Sequence, residues 1–491
     1  MTDRVVHGPR GRARPSVVAL LPRGETFRNF VYAGVLDQIA DAASLEIASV
    51  VPTPELGAML ADRFGPISEL GQTSDPRLVR IIRELLETAH GRWLWSEASK
   101  ERWRRRSNEA TGAVARAKLS AKRAIARPFS TPSGLRLLSN AYDWSAERWR
   151  PDTDQLRLLR ADPPTLVLNT SHVHSTIITP WLQVARQAGS RTAAFLFSWD
   201  NLTSQGRMAP LYDDYLVWSE AIRHDLLRIY PEIRPEQVHI TGTPQFDAHF
   251  DPEVAIDRVA LCSWIGADPA RPIVLYTTGM PNHMPGEPWI VEDLADRLRS
   301  ISPASPPQLV VRVYAKDRTG RFGDLQERRS DIIFAPVHWE ESWMTPLPED
   351  TPLWVNLLRH ADVGVNVAST VSLELCMFDK PVLNVAYNPP DLPLSDIDYS
   401  RYYSFDHYRP VVESGAVTVC GSPGALGAAV AEALANPGPG SSARASLLHS
   451  MFGDTLDGRS GHRIARTVAG LVGGGAHLDP VSDRASDGEG R

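Results

Sequence analysis

Short apolar runs rich in β-branched residues recur along the chain, and polar turns and segments with helical spacing separate them. In the first half these runs lie at 16–21, 45–51, 165–170, 191–197, 214–218 and 239–241. In the second half they lie at 272–278, 309–314, 362–367, 381–387 and 417–420. Such runs are typical of strands buried in parallel sheets. Their alternation with helical segments predicts an α/β protein with two halves.

The stretch 353–388 organises the second half. Between its two predicted strands, a turn of hydroxyl residues runs into a helix-compatible segment. Ser369, Thr370 and Ser372 lie where a helix N-terminus leaves N–H groups unpaired, which predicts a seat for a phosphate. Glu374 lies four residues after Thr370 on the same helix face, so we expect it to bind ribose hydroxyls. Plain helix capping by Ser and Thr is the alternative interpretation.

The sequence LRHADVGVNVASTVSLELCMFDKPVLNVAY in this stretch resembles the donor-nucleotide segment of GT-B glycosyltransferases and of the related polyol-phosphate transferases. In those families the Ser/Thr turn binds the diphosphate and the Glu binds the ribose. The resemblance implies a GT-B-like α/β fold, in which two Rossmann-like, doubly wound domains face a cleft. The rest of the expected donor site consists of Thr278, Gly279, Lys316 and Asn366. Similar transferases carry a His-Pro pair shortly before the position of Lys316; here Tyr-Ala replaces it, so no role is carried over for that His.

Polar residues follow two neighbouring predicted strands of the first half. His172 and His174 follow the strand 165–170, and Asp200 follows the strand 191–197. Because one helix separates these strands, we expect them to be adjacent and parallel, with their loops side by side. An inverting transferase needs a general base, so we predict a catalytic role for at least one of the three, across the cleft from the hydroxyl turn. The alternative is that Asp200 and Asn201 only shape their loop by bonding to its backbone.

Two loops of the first half are expected to face the acceptor. Arg23, Glu25 and Arg28 follow the first strand, and Trp199 and Asn201 follow the strand 191–197. Loops at the carboxyl ends of parallel strands carry ligands in open α/β sheets. The motifs SWDNLTSQGR, VWSE and TGTPQFD resemble a group of bacterial glycosyltransferase-like proteins, over about 165–250 and more loosely over 270–470.

The predicted domain organisation has five parts. They are a loose N-terminus at 1–15, an N-terminal Rossmann-like acceptor domain at 16–255 with a helical basic insertion at about 77–150, a C-terminal nucleotide-donor domain at 256–440, helices at 441–473 and a disordered tail at 474–491. The motif FGDTLDGRSGHRIARTVAGL resembles the C-terminal end of polyol-phosphate transferase-like GT-B proteins, where the final helix braces the N-terminal domain. The tail is rich in Gly, Asp and Ser, which predicts disorder.

The predicted insertion differs in charge from the chain as a whole. The chain carries a formal charge of −6, which argues against a nucleic-acid partner. Residues 92–127 carry eleven Lys or Arg against three acids, interleaved with Trp93, Trp95 and Trp103. One interpretation is a helical segment that lies on an anionic membrane surface. The other is a solvated helical hairpin with its aromatic residues packed inward.

Several classes of chemistry have no motif here. The three cysteines form no CxxC pair, and the chain contains no HExxH, GxSxG, GxxxxGK[ST] or GxGxxG motif. We therefore expect no metal site and no cofactor apart from the donor substrate. No apolar run reaches the roughly 20 residues of a membrane-spanning helix, and a reducing cytosol fits the cysteines.

The resemblance implies a metal-independent GT-B glycosyltransferase, the cysteines fit a cytoplasmic location, and peripheral contact with the inner membrane face is a further expectation. Its donor would be a nucleotide-sugar, and its acceptor a polysaccharide, a glycolipid or another surface glycan. Two alternatives stay open. One is a phosphotransferase that uses a CDP-polyol of the glycerol-phosphate type. The other is a catalytically inactive GT-B scaffold, which nucleotide binding would discriminate from both enzymes.

Overall fold

The computed structural model describes residues 14–50, 53–71, 75–172, 177–393 and 397–473. Most of the N-terminal segment that was expected to be loose, His174 and the tail 474–491 lie outside the described residues. The described part of the chain contains two parallel sheets with helices packed around them. The α/β class with two parallel sheets is confirmed.

The first sheet has seven strands. They are β1 (Ser16–Leu21), β2 (Ser44–Ser49), β3 (Ile67–Glu69), β4 (Leu166–His172), β5 (Arg191–Leu196), β6 (Asp214–Val217) and β7 (Val238–Ile240). Their order is β3-β2-β1-β4-β5-β6-β7, and all neighbours are parallel. The predicted pairing of β4 with β5 is confirmed. The strand order reverses between β1 and β4, which is where ligands bind in doubly wound folds.

The second sheet has six strands. They are β8 (Ile273–Thr277), β9 (Gln308–Arg312), β10 (Ile332–Phe334), β13 (Val363–Asn366), β14 (Val382–Val385) and β15 (Thr418–Cys420), in the order β10-β9-β8-β13-β14-β15. A small antiparallel hairpin, β11 (Trp339–Glu340) with β12 (Thr345–Pro346), lies between β10 and β13 in sequence. The side chains of β8 and β13 are buried, because both faces of the sheet are covered.

Nineteen α-helices pack around these sheets within the described ranges. They are α1 (Val35–Ala42), α2 (Pro54–Phe64), α3 (Arg77–Leu94), α4 (Glu97–Glu109), α5 (Ala113–Ala126), α6 (Pro132–Trp149), α7 (Asp154–Ala161), α8 (Thr179–Gln187), α9 (Asn201–Ser204), α10 (Glu220–Ile229), α11 (Arg258–Ile265), α12 (Glu287–Ile301), α13 (Gly323–Arg328), α14 (Asp350–His360), α15 (Val371–Met377), α16 (Arg409–Glu413), α17 (Pro423–Ala435), α18 (Ser441–Phe452) and α19 (Ser460–Leu471). Nowhere in the described ranges does a helix combine the length and apolar character needed to cross a bilayer.

Helices α3 to α6 form the insertion, and α7, which packs on the main core, leads from it to β4. The insertion has a small core of its own, to which Leu86, Leu135 and Tyr142 belong. Helix α4 begins at a cap in which Ser96 Oγ accepts a hydrogen bond from Ser99 N at 3.1 Å. The same hydroxyl donates to the carbonyl of Thr203 at 2.7 Å, so the start of α4 is fixed to the segment that follows β5.

Of the two C-terminal helices, α18 contacts both domains and α19 packs on α1 of the first domain. Helix α18 is joined to the second domain by Arg444, whose Nε donates to the Asp379 carboxylate at 2.7 Å. The start of α19 is held by the Asp247 carboxylate, which accepts from the backbone N–H groups of Ser460 and Gly461 at 3.1 and 2.8 Å. A Cβ at Gly461 would lie 2.9 Å from Val35 Cγ2, so this close approach of α19 to α1 requires glycine. The last helix therefore braces the N-terminal domain.

Candidate functional site

A cavity of about 630 Å³ lies between the two sheets, and we call it the interdomain cavity. Loops that follow β5, β8, β9, β13 and β14 surround it, together with one side of α4. From the first half it is lined by Ala98, Glu101, Arg102, Arg105, Arg106, Glu109, Trp199, Asp200, Ser204 and Gln205. From the second half it is lined by Thr278, Gly279, Met280, His283, Met284, Tyr314, Val367, Ala368, Ser369, Thr370, Tyr402, Phe405 and His407.

Two neighbouring turns form the wall on the side of the second domain. Thr278 and Gly279 follow β8, and Ser369 and Thr370 follow β13, at the point where the strand order reverses. Ala368 adopts a φ of 37°, which is rare for a residue with a Cβ and gives the second turn its sharp bend. The structure thus brings together four of the eight residues predicted for the donor site.

Two more predicted donor residues lie beneath the second turn. Asn366 Oδ1 accepts hydrogen bonds from Ser369 N at 3.3 Å, from Ser372 Oγ at 3.1 Å and from Asn384 Nδ2 at 3.1 Å. Ser372 is buried, and its hydroxyl lies 2.8 Å from that of Tyr408. Asn366 and Ser372 therefore support the turn and are not part of the cavity surface.

A buried carboxylate holds the first turn in place. Glu287 accepts hydrogen bonds from Gly279 N at 2.9 Å, from Arg321 at 2.9 Å and from the Tyr276 hydroxyl at 3.2 Å. Burial raises the pKa of Glu287 to about 7, although Arg321 and the N–H of Gly279 act in the opposite direction. Because the N–H of Gly279 is already bonded to Glu287, Gly279 shapes the turn and does not offer this donor to a ligand. The neighbouring Thr278 can offer its hydroxyl.

Trp199 and Asp200 line the interdomain cavity on the side of the first domain. Trp199 Nε1 donates to Thr370 Oγ1 across the domain boundary at 3.0 Å. Asp200 lines the cavity while its carboxylate accepts from the hydroxyls of two serines of its own loop, Ser198 and Ser204. Asn201 is buried and accepts from Ser198 N at 2.9 Å, so its side chain shapes this loop.

His172 lies outside the interdomain cavity. Strand β4 extends to His172, two residues beyond the predicted end, and its register against β5 shifts between Asn169 and His172. The ring is turned to Tyr212, whose hydroxyl lies 2.9 Å from Nδ1, and burial lowers the pKa of His172 to about 4. It borders a small second cavity beside Arg207. The structure does not bring His172 to the turn at Ser369.

Two other histidines line the interdomain cavity, and sequence reasoning missed both as catalytic candidates. His407 packs edge-on against Trp199, with ring centroids 5.2 Å apart, and its Nδ1 lies 3.4 Å from the Thr203 hydroxyl. Burial lowers the pKa of His407, although Asp200 and Asp406 raise it. His283 lies beside Arg105, and burial and this cation lower its pKa to about 4. Neither lies in a motif, so only the folded chain identifies them.

The residues predicted for the acceptor side after β1 form a contact between the domains. Glu25 forms ion pairs with Arg23 and, across the domain boundary, with Lys316. Burial raises the pKa of Glu25, but these two cations outweigh it and lower the pKa to about 2. A Cβ at Gly24 would overlap Thr345 of the second domain, so this loop approaches closely only because residue 24 is glycine. Lys316 is therefore paired with a carboxylate and lies outside the cavity lining.

Glu374 and Arg28 lie deeper in the domain boundary. The carboxylate of Glu374 accepts from Trp354 Nε1 at 2.8 Å, and His249 Nε2 lies 3.0 Å from it. Burial lowers the pKa of Arg28, although the carboxylates of Glu374, Glu25 and Asp350 raise it. Glu374 is 4% exposed and lies outside the lining of the interdomain cavity. Its predicted contact with a ribose stays a prediction.

The basic helix α4 is the main feature that the sequence did not place here. Arg102, Arg105 and Arg106 line the cavity on the side of the first domain, together with Glu101 and Glu109. The sequence predicted that the basic residues face an anionic membrane or solvent. No local signal in the sequence reports that one face of this helix meets the hydroxyl turns of the other domain.

Comparison with family models gives no match, and comparison with curated protein sequences gives none either. Solved structures do match. UDP-GlcNAc 2-epimerase from Neisseria meningitidis bound to UDP-GlcNAc is 11% identical with a TM-score of 0.51, over 92% of this chain and 99% of that chain. A glycosyltransferase from Rickettsia africae is 10% identical with a TM-score of 0.48, over 93% and 98%. MurG from Acinetobacter baumannii is 12% identical with a TM-score of 0.39, over 94% and 99%. The chain has the GT-B fold, with its cavity between the two Rossmann-like domains.

Proposed function

We propose that the protein is a glycosyltransferase that uses a nucleotide-sugar and binds it in the interdomain cavity. The observation that carries this proposal is the joint lining of one cavity by the Thr278 and Ser369–Thr370 turns, by Asp200 and by three arginines. Its volume suits a ligand of this size. The GT-B fold is shared with a UDP-GlcNAc 2-epimerase solved with UDP-GlcNAc bound, which supports a sugar-nucleotide as ligand.

The proposed donor places its diphosphate between the hydroxyl turns and α4. The hydroxyls of Thr278, Ser369 and Thr370 can donate to phosphate oxygens, and guanidinium groups offset the charge that develops on the leaving diphosphate. Fixed donors of this kind act more strongly in a cavity than in water, because they need no reorganisation during the reaction. In this proposal the protein's own charges and dipoles stabilise the leaving group.

The general base is proposed to be Asp200 or His407, which line the same cavity. A base must lie within hydrogen-bond reach of the acceptor hydroxyl, and both side chains border the space that an acceptor would enter. His407 is held neutral at neutral pH by its lowered pKa, which is the protonation state that a base requires. The acceptor is proposed to be a polysaccharide, a glycolipid or another surface glycan, reached from the cytoplasmic side of the membrane.

The test is an activity assay with UDP-, GDP-, dTDP- and CDP-sugars, each with and without a surface-glycan acceptor fraction. Release of the nucleoside diphosphate, with label from the sugar appearing in the acceptor, is the expected result. No turnover of any sugar-nucleotide, and no binding of one, would support the inactive scaffold. CDP-glycerol belongs in the same panel, since incorporation of labelled glycerol phosphate would support the phosphotransferase.

A second candidate is epimerisation of the nucleotide-sugar. The observation in its favour is the match along nearly the full length of both chains to a UDP-GlcNAc 2-epimerase. An epimerase converts its substrate without an acceptor, whereas a transferase consumes it in proportion to the acceptor. Proton NMR of each nucleotide-sugar, incubated with the enzyme alone, distinguishes the two.

A further inference from the structure

We infer that Arg102, Arg105 and Arg106 of helix α4 form a subsite that binds a phosphate group of a substrate. The inference deepens the proposed function, and it rests on that function only for the identity of the molecule that carries the phosphate. It assigns to the helical insertion a part in substrate binding.

The three arginines share one face of α4. They stand at positions i, i+3 and i+4, which are neighbours on a helix surface. All three line the interdomain cavity, which the turn of Ser369 and Thr370 also lines. Arg104 does not line the cavity; it forms an ion pair with Glu101. Arg102 and Arg105 are partly buried, whereas Arg106 lines the cavity at its exposed edge.

Helix α4 is held against both domains. Ser96 fixes its start to the first domain, as described above. The backbone N–H of Glu97 donates to the Asp406 carboxylate of the second domain at 2.9 Å. One turn later, Glu101 lies 3.8 Å from Arg401, also of the second domain. The arginines therefore project from a positioned element, which is what a defined binding site requires.

Among the described residues these arginines form no close ion pair, although Glu87 acts on Arg102 and Arg106 acts on Glu84 from a greater distance. Within the described part of the chain, no carboxylate lies within 4 Å of Arg102, Arg105 or Arg106. Arg105 donates to the ring of His283 at 2.7 Å, and that ring is neutral at neutral pH, so the contact leaves the charge uncompensated.

The carboxylates of the cavity offset these charges only in part. Glu101 is paired with Arg104, and Asp200 accepts from two serine hydroxyls, which carry no charge. Asp200 and Glu109 are the two carboxylates that face three guanidinium groups, so the positive charges of the cavity exceed the negative charges by one. Like charges repel, and a bound anion relieves this repulsion.

Phosphate is the anion that best fits this arrangement. Guanidinium groups present several N–H donors in a planar fork that matches two phosphate oxygens at once. The opposite wall offers hydroxyls, which are further donors for the same group. The phosphate has two potential sources, the diphosphate of the donor and a phosphate on the acceptor.

The test compares two triple variants of the intact protein by calorimetry. R102Q/R105Q/R106Q removes the cavity charges while keeping good helix formers. R116Q/K118Q/R127Q is the matched control, since it removes the same number of charges from exposed positions on α5 and just after it. The probes are UDP, CDP, GDP and dTDP, their nucleosides, and inorganic phosphate added alone or with a saturating nucleoside diphosphate.

Two results support the subsite and identify the source of the phosphate. If the donor supplies it, the α4 variant loses about tenfold or more in affinity for the nucleoside diphosphate and retains its affinity for the nucleoside. If the acceptor supplies it, nucleoside diphosphate binding is unchanged, but binding of inorganic phosphate beside it is lost. The subsite is overturned if the α4 variant matches the wild type with every probe, or if the α5 variant loses as much.

Two further measurements keep the outcomes separate. R102K/R105K/R106K retains the positive charges but not the planar fork of the guanidinium groups, so its affinity for phosphate should lie between those of the wild type and the Gln variant. The Lys variant also replaces the Gln variant in this test if the Gln variant does not fold. Failure of the proposed function looks different from failure of the subsite. If the wild type binds phosphate through these arginines but no nucleotide, the subsite stands and the nucleotide-sugar assignment falls.

Discussion

At the scale of single residues, the cavity places two potential bases next to the hydroxyl turns, and each gives a prediction. We expect H407N and D200N to differ in turnover, since only the base takes the acceptor proton. Loss of the base should lower kcat by roughly 10²–10⁴, while the affinity for the donor nucleotide changes little. Steady-state kinetics and calorimetry measure the two quantities. H224N, on the exposed face of α10, is the matched control. Full activity in both H407N and D200N would contradict the proposed base.

Glu374 gives a prediction about stability. Its carboxylate accepts from the indole of Trp354 and lies beside His249, and all of these groups lie in the domain boundary. E374A leaves the Trp354 N–H without its acceptor, which should cost about 1–3 kcal/mol in the free energy of unfolding. E374Q keeps an amide oxygen there and should lose less.

Urea denaturation, paired with calorimetry of nucleotide binding, checks this prediction. An E374A variant with unchanged unfolding and weaker nucleotide binding would contradict the structural role and support the ribose contact instead.

At the scale of secondary-structure elements, the sequence predicted the strands well and the insertion poorly. The central strands of both sheets are buried on two faces, so their apolar runs were easy to recognise. Strands β3 and β10 have three residues each and were missed, whereas β7 and β15, of the same length, were predicted. So short a segment carries no periodicity, and a pattern therefore finds such strands only unevenly. The packing of α4 was missed for a different reason. Its charges show that one face is polar, but not which surface of another domain that face meets.

The position of His172 shows a similar limit. The prediction ended the strand at Thr170, which would have put His172 in a loop at the cleft. In the structure the strand continues, and the ring turns to Tyr212. A shift of two residues in a strand end is below the precision of sequence patterns, yet it moves a side chain from one cavity to another.

Helix α5 is the part of the insertion for which we still predict lipid binding. Arg123 lies between the rings of Trp95 and Trp103, at 4.6 and 4.5 Å from their centroids, so these two tryptophans are engaged within the insertion. The exposed surface of α5 carries Val114 and Ile125 among basic residues and no acid. A helix of this kind can lie at an anionic surface.

We expect flotation with vesicles that contain phosphatidylglycerol, and less flotation in high salt. R116Q/K118Q/R127Q should float less, whereas the α4 triple variant should float as the wild type does. Equal flotation with neutral and anionic vesicles would rule out electrostatic recruitment.

At the scale of the whole molecule, the two domains are joined by an ion pair with a defined pH dependence. Glu25 has a pKa of about 2 in the folded protein, below its ordinary value, so it contributes stability above that ordinary value. This contribution is lost as the pH falls from about 4.5 toward 2. At neutral pH, E25Q should lower the free energy of unfolding by about 3 kcal/mol, and the difference should vanish near pH 2.

Urea denaturation of both proteins across this pH range measures the effect. E97Q is a suitable control, because its ion pair with Lys100 lies within one helix turn and does not join the two domains. A constant difference between E25Q and the wild type at every pH would contradict the assignment.

The central claim is that the interdomain cavity binds the donor nucleotide, and one calorimetric titration tests it most directly. Nucleoside diphosphates are titrated into the wild type, into S369E, which adds a carboxylate to the cavity wall, and into S305E, which adds one at an exposed loop of the same domain. We expect the wild type to bind at least one nucleotide at one site per chain. S369E should lose about tenfold or more in affinity, because its new carboxylate repels the diphosphate. S305E should lose none. No binding to the wild type, or equal affinity in S369E and the wild type, would contradict the account.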